Sequence, residues 1–190
     1  MHNVKAVISK SVEIPRNITM IVGSFIFATL ITIGAFVYIP LPFSPVPITL
    51  QVLFVLLAGV LLGTRYGTLS VLIYILVGAV GVPVFAGAIG GIARIAGPTG
   101  GYLAGFLIAP SIVSFLFARM GKHVFAAAIA MLAGLFVIYF LGMLHLSLFL
   151  GTTLLHTLKI GVLPFVAGDI VKIILAVFLV FITRRRLWNA

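Results

Sequence analysis

Cysteine is absent from the 190 residues, which excludes disulfides, thiolate metal centres and a cysteine nucleophile. Acidic residues are almost absent: Glu13 and Asp169 stand alone against twelve Lys and Arg, for a formal net charge of +10. Charged residues of both signs make up 7% of the chain, where a soluble domain carries about 25%. That excludes a water-soluble globule. The short alternating segments of a membrane barrel are missing too. So is any G-x-x-x-x-G-K-[ST] phosphate loop, so the chain does not bind ATP in that manner.

What is present is apolar. Hydrophobic residues reach 63%, the mean hydropathy is +1.39, and apolar runs extend for about 20 residues. The expected fold is an all-α integral membrane protein with six transmembrane helices, packed as one domain over residues 18–183. A polar segment, 1–17, precedes it, and a basic tail, 184–190, follows. The positive charge does not indicate nucleic acid, because the basic residues sit at segment ends rather than on one soluble face. They report topology instead.

The first apolar run, Ile18 to Ile39, is too long for a signal-peptide core and is read as a retained helix. Ser24, Ala28 and Thr32 recur on one of its faces at a spacing that permits close helix approach. Either this face packs internally, or it docks another membrane subunit. Prolines at 40, 42, 45 and 47 stop the helix and predict a stiff, extended loop. A short second helix then runs to Gly63, opening near Gln51, the chain's one glutamine. Gly63 to Gly67 reads as a tight turn, and a third helix as Thr68 to Val82. Residues 83–100 are rich in glycine yet too apolar for a solvated loop, which fits a lid or re-entrant segment. A fourth helix is expected from Gly101 to Ala118, a fifth from Val124 to Leu144, an amphipathic connection over 145–160, and a sixth helix from Val162 to Thr183.

Six helices place both termini on one side. The termini and the turns on that side hold Lys5, Lys10, Arg16, Arg65, Arg119, Lys122 and Arg184 to Arg186; the opposite loops hold only Arg94 and Lys159. The positive-inside rule makes the termini cytoplasmic.

The most informative stretch is Phe165 to Lys172. Asp169 is the one acidic residue inside an apolar run, and Lys172 follows three positions later, on the same helical face. Each charge at membrane depth is disfavoured by roughly 2.5–3.5 kcal/mol, so it needs a partner, a cavity or a function. Measured from Pro164, Asp169 lies about 7–8 Å deep and Lys172 about 12 Å, at 1.5 Å per residue. Gln51, Thr99, Tyr102 and Arg94 fall near the same, outer, ends of their helices. An outward-open pocket with apolar walls would gather them all. Asp169 can accept N–H groups and Lys172 can donate to a carbonyl, which suits an amide- or urea-like ligand; a purely structural ion pair is the alternative. Arg94 could meet a ligand carboxylate or remain solvated. His145 and His156 lack acidic or cysteine neighbours, and no metal site is expected. An intramembrane enzyme finds little support: one embedded carboxylate, and no histidine spaced to activate a serine.

Four stretches resemble the BioY family, the biotin-specific S components of energy-coupling factor (ECF) transporters. They are Pro47-Ile48-Thr49-Leu50-Gln51 after the proline loop, Gly81-Val82-Pro83-Val84-Phe85, Gly97-Pro98-Thr99-Gly100-Gly101-Tyr102-Leu103, and Pro164-Phe165 through Gly168-Asp169-Ile170-Val171-Lys172. They stand in order across residues 40–172. The resemblance implies an S-component bundle in the plasma membrane that captures biotin from outside, with Asp169 and Lys172 on the ureido ring. The glycine loop, with Phe85 and Gly87, would close over the ligand. It also implies a transmembrane coupling subunit, docked at Ser24, Ala28 and Thr32, and two ATPase subunits that alone bind ATP, with no cofactor on this chain. Family members often carry an asparagine in the loop after the third helix; here Gly87 or Ala88 stands in its place. An S component for another small vitamin-like ligand is the nearest alternative.

Overall fold

The structure, a computed structural model, describes residues 15–187. Lys5, Lys10 and Glu13 of the N-terminal segment, and Trp188, lie outside the described residues. Helix α1 spans Arg16–Phe36, a ribbon of β1 (Ile39–Leu41) and β2 (Ser44–Ile48) follows, and α2 spans Gln51–Ala79. Then come α3 (Ile92–Ala96), α4 (Gly100–Arg119), α5 (Val124–Leu150), α6 (Leu154–Gly161) and α7 (Leu163–Leu187). Among the described residues, five helices are long and apolar enough to cross a membrane: α1, α2, α4, α5 and the Leu163–Thr183 part of α7. The chain is thus a mostly helical, multi-pass membrane protein.

The expected second and third helices form one element, α2, folded back on itself. Gly63 adopts φ 78°, ψ −177°, a conformation essentially closed to residues with a Cβ. The reversal brings Gln51 Nε2 within 2.6 Å of the Tyr74 hydroxyl; a straight helix would hold these residues about 35 Å apart. Backbones approach closely along the hairpin because glycines line it. A Cβ on Gly67 would meet the Ala58 carbonyl oxygen at 2.8 Å, and one on Gly59 would meet the Pro110 backbone of α4 at 2.9 Å.

The proline loop departs from the all-α expectation. It is an antiparallel ribbon, with Ile39 opposite Ile48 and Leu41 opposite Ser44. A two-stranded ribbon consists of edges alone, so prolines at positions that need no donor are tolerated. The Leu50 N–H donates to Gly34 O at 3.0 Å and ties the ribbon's exit to α1. The glycine loop is only partly irregular: Phe85 and Ile89 form a bridge, and α3 adds a short helix. The fifth helix continues past Leu144 to Leu150 and ends at Gly151 in the left-handed conformation (φ 61°). The connection after it is largely the helix α6, capped by the Thr153 hydroxyl accepting from the His156 N–H at 3.3 Å. The last helix runs past Thr183 to Leu187, into the segment read as a tail.

The face of α1 carrying Ser24 and Ala28 is internal. Ser24 is 0% exposed and donates to the Tyr66 carbonyl at 2.9 Å; Ala28 is buried, and the half-buried Thr32 donates back to Ala28 O. The small-residue spacing serves packing of α1 on α2, and the outward face of α1 is Ile18, Val22, Phe25, Ile26 and Ile33 instead. Midway through the bundle Val55, Leu56, Ala109, Val113 and Ala176 are fully buried.

Gly63→Ala is expected to lower unfolding stability by about 1–3 kcal/mol through backbone strain alone, since the nearest atom to the added Cβ, Ser114 Oγ, is 3.7 Å away. Thermal denaturation in detergent reads this directly; an unchanged midpoint would show that the reversal tolerates a side chain.

Candidate ligand-binding site

Asp169 and Lys172 lie one helical turn apart on α7, 2% and 7% exposed. Lys172 Nζ donates to Asp169 Oδ1 at 2.6 Å, the one salt bridge among the described residues. The second carboxylate oxygen, Oδ2, accepts from the Tyr139 hydroxyl of α5, also at 2.6 Å. A carboxylate offers about four acceptor positions and an ammonium three donors. Each therefore keeps unused hydrogen-bonding capacity, and both line one cavity.

That cavity is partly open to solvent, with an accessible volume of about 70 Å³. Its walls come from the whole fold. The ribbon supplies Val46 and Pro47, and α2 supplies Gln51, Val52 and Tyr74. The glycine loop gives Phe85, Ala86, Arg94 and Thr99; α4 gives Tyr102, Leu103 and Phe106; α5 gives Ile138 and Tyr139. Tyr74 meets Phe85 edge-on, ring centroids 5.4 Å apart. Phe85 can lie there because Gly78 has no side chain to obstruct its ring.

The polar wall groups differ in what remains free. Gln51 is partly committed: its amide donates to Tyr74 and its oxygen accepts from Thr49 Oγ1 at 3.2 Å, which leaves one N–H. The Tyr102 hydroxyl donates to Gly161 O at 2.6 Å, fixing α4 to the end of α6, so its one donor is already used. Arg94 is half-buried and reaches only the Ala86 carbonyl, at 3.4 Å; among the described residues no carboxylate faces it. Thr99 sits in the turn before α4, and His145 Nε2 holds that turn by a 2.9 Å hydrogen bond to Gly97 O.

Of the residues singled out from sequence, the cavity brings together Gln51, Phe85, Arg94, Thr99, Tyr102, Asp169 and Lys172. Gly87 is not among its lining residues: it is exposed with φ 84°, and a side chain there would face Tyr38 and Ile89. From the same loop it is Ala86 that lines the cavity. Sequence reasoning passed over Tyr139, Tyr74 and Phe106. The signal for Tyr139 was its hydroxyl in the middle of a 27-residue apolar helix, where a phenol needs a partner. Among the described residues no cluster of His, Cys, Asp and Glu could hold a metal ion.

The family profile described as "BioY family" matches residues 6–189. A probable biotin transporter BioY from Pyrococcus horikoshii is 46% identical over 154 residues, covering 81% of this chain and 89% of that protein. The biotin transporter BioY of Thermotoga maritima is 43% identical over 152 residues, 80% of this chain and 87% of that one. Among solved structures, the S component for biotin from an ECF-type ABC transporter superposes with a TM-score of 0.83 at 34% identity, covering 89% of this chain and 92% of that one.

Lys172→Ala would strand the buried Asp169 carboxylate with Tyr139 as its one remaining donor among the described residues. Breaking a buried pair in this way is expected to destabilise the ligand-free protein by about 3–5 kcal/mol. A thermal midpoint unaltered by the substitution would show that the pair contributes nothing in the empty state.

Proposed function

The chain belongs to the BioY family, and we propose on that premise that it is the substrate-binding membrane subunit for biotin uptake, capturing biotin outside and delivering it inward with an ECF coupling module. It is a transport subunit and not an enzyme. The observation that carries the ligand assignment is the buried Asp169–Lys172–Tyr139 group on the floor of an otherwise apolar cavity. A cyclic urea presents one carbonyl flanked by N–H groups. The free donors of Lys172 match the carbonyl and the free acceptor positions of Asp169 match the N–H edge. The apolar walls, Val52, Phe85, Phe106 and Ile138 among them, suit the hydrocarbon and thioether parts of biotin. Arg94, with no carboxylate facing it among the described residues, is the cation for the ligand's carboxylate, and Thr99 a nearby hydroxyl.

Counting the two limbs of α2 separately, six segments cross the plasma membrane. Both termini are cytoplasmic, in keeping with nine basic residues on that side against Arg94 and Lys159 on the other. The cavity then opens outward beneath the ribbon and the glycine loop. ATP is bound by two ATPase subunits and reaches this chain as work through a transmembrane coupling subunit. No cofactor is needed on this chain.

Calorimetric titration of biotin into the purified protein is expected to show tight binding, weakened by about thirtyfold or more in Asp169→Asn, as for removal of one partner of a buried charge pair. No heat from folded, ligand-free parent, with a direct radioligand assay agreeing, would remove the biotin assignment. For the topology, a reporter active only in the cytoplasm should be active when fused after Ala190; activity confined to an externally active reporter would invert the orientation.

A further inference from the structure

A second cavity, of about 350 Å³, lies at the opposite end of the bundle. Its mouth carries Arg16 and Lys122, the half-buried Ser114 hydroxyl lies inside, and Met20, Val60 and Val180 form apolar walls. We propose that this cavity is a binding site for an anionic phospholipid of the inner leaflet, its phosphate between Arg16 and Lys122 and its acyl chains in the cleft between α1 and α7.

Charge is the first argument. The described residues contain one carboxylate, Asp169, and it is committed to Lys172 in the other cavity; Glu13 lies outside the described residues. The mouth is therefore cationic with no counter-ion among the described residues, and an anionic headgroup would complement it. Lys122 is held in the left-handed region (φ 53°) beside Gly121 (φ 84°), with its N–H bonded to Phe117 O at 3.2 Å. A lysine in that conformation is uncommon, and the turn sets it at the cavity rim. Ser114 adds a hydroxyl donor beside the Gly63 reversal, which draws the α2 hairpin short and leaves the space open.

The shape distinguishes a lipid from a free anion. Helix α1 packs against α2, while α7 packs against α2, α5 and α6; α1 and α7 make no extensive contact with each other. Arg16 and Met20 of α1 and Val180 and Thr183 of α7 line the cavity, whose remaining wall is mostly α2 and α4, so the gap between α1 and α7 is where acyl chains would enter from the bilayer. Basic pockets between membrane helices on the cytoplasmic side recognise acidic headgroups in this manner, each Lys or Arg contributing about a fivefold gain in affinity. The placement in the inner leaflet rests on the orientation proposed above; the binding test does not.

The test titrates dioleoyl phosphatidylglycerol into the purified full-length protein in nonionic detergent and follows thermal stability, with phosphatidylcholine and inorganic phosphate as separate arms. A saturable rise in midpoint is expected with phosphatidylglycerol alone. Arg16→Gln and Lys122→Gln should each weaken the apparent affinity about fivefold, and the pair about thirtyfold, while calorimetric biotin binding stays unchanged. Ser114→Leu, which fills the cavity without removing charge, should block the effect as well. Equal shifts with both lipids, or full selectivity in the double variant, would overturn the proposal. A shift reproduced by inorganic phosphate alone would reassign the cavity to a free anion and overturn the lipid. Since the lipid and phosphate arms contain no biotin, failure there is distinguishable from failure of the transport assignment.

Discussion

The structure depends on keeping one carboxylate charged in a medium that opposes charge. Asp169 lies within an apolar segment, where a lone ion is disfavoured and a satisfied pair is tolerated. Lys172, three residues on, supplies the counter-charge, and Tyr139 supplies a hydroxyl from another helix. The geometry therefore fixes how α7 turns about its axis and where α5 lies against it. The unused donors and acceptors of the pair point where neither helix can satisfy them, and that is the cavity. Stability of the empty protein and readiness for a polar ligand come from the same three side chains.

Around that group the fold is assembled by close backbone approach. Gly63 reverses α2, Gly59 and Gly67 let the hairpin seat itself on Pro110 of α4, and Gly78 leaves room for the Phe85 ring. Larger residues at these places would separate the helices and widen a core that has no water to fill the gap. The ring of Phe85 then meets Tyr74, which Gln51 holds by its hydroxyl. In this way the hairpin, whose two ends meet at Gln51 and Tyr74, becomes one wall of the pocket.

Much of this was legible in the sequence, for reasons that differ by residue. Asp169 and Lys172 stand out because charge is rare in apolar runs, and the proline and glycine stretches because they interrupt helices. The membrane spans follow from hydropathy. Tyr74 and Tyr139 stayed hidden because a phenol on an apolar helix looks like any packing aromatic until its partner is known. The spacing of Ser24, Ala28 and Thr32 marks a face for close packing but says nothing of which neighbour fills it, and here α2 does. Gly63 to Gly67 read as a five-residue turn, while one glycine with an unusual backbone angle suffices. Strands were unexpected beside four prolines, since the argument against proline concerns interior strands and the ribbon has none. The extension of α5 to Leu150 escaped notice because His145, the residue that looked like its end, faces Gly97 O instead of water.

The fully buried layer of Val55, Leu56, Ala109, Val113 and Ala176 separates the two cavities. Its side chains offer no donor or acceptor, and a proton relay needs a continuous line of such groups or of water. The layer is thus an electrical insulator inside the protein. A cell can hold many idle copies in its membrane, each with a charged cavity at one end and a basic one at the other, without dissipating the ion gradients that drive the rest of its metabolism.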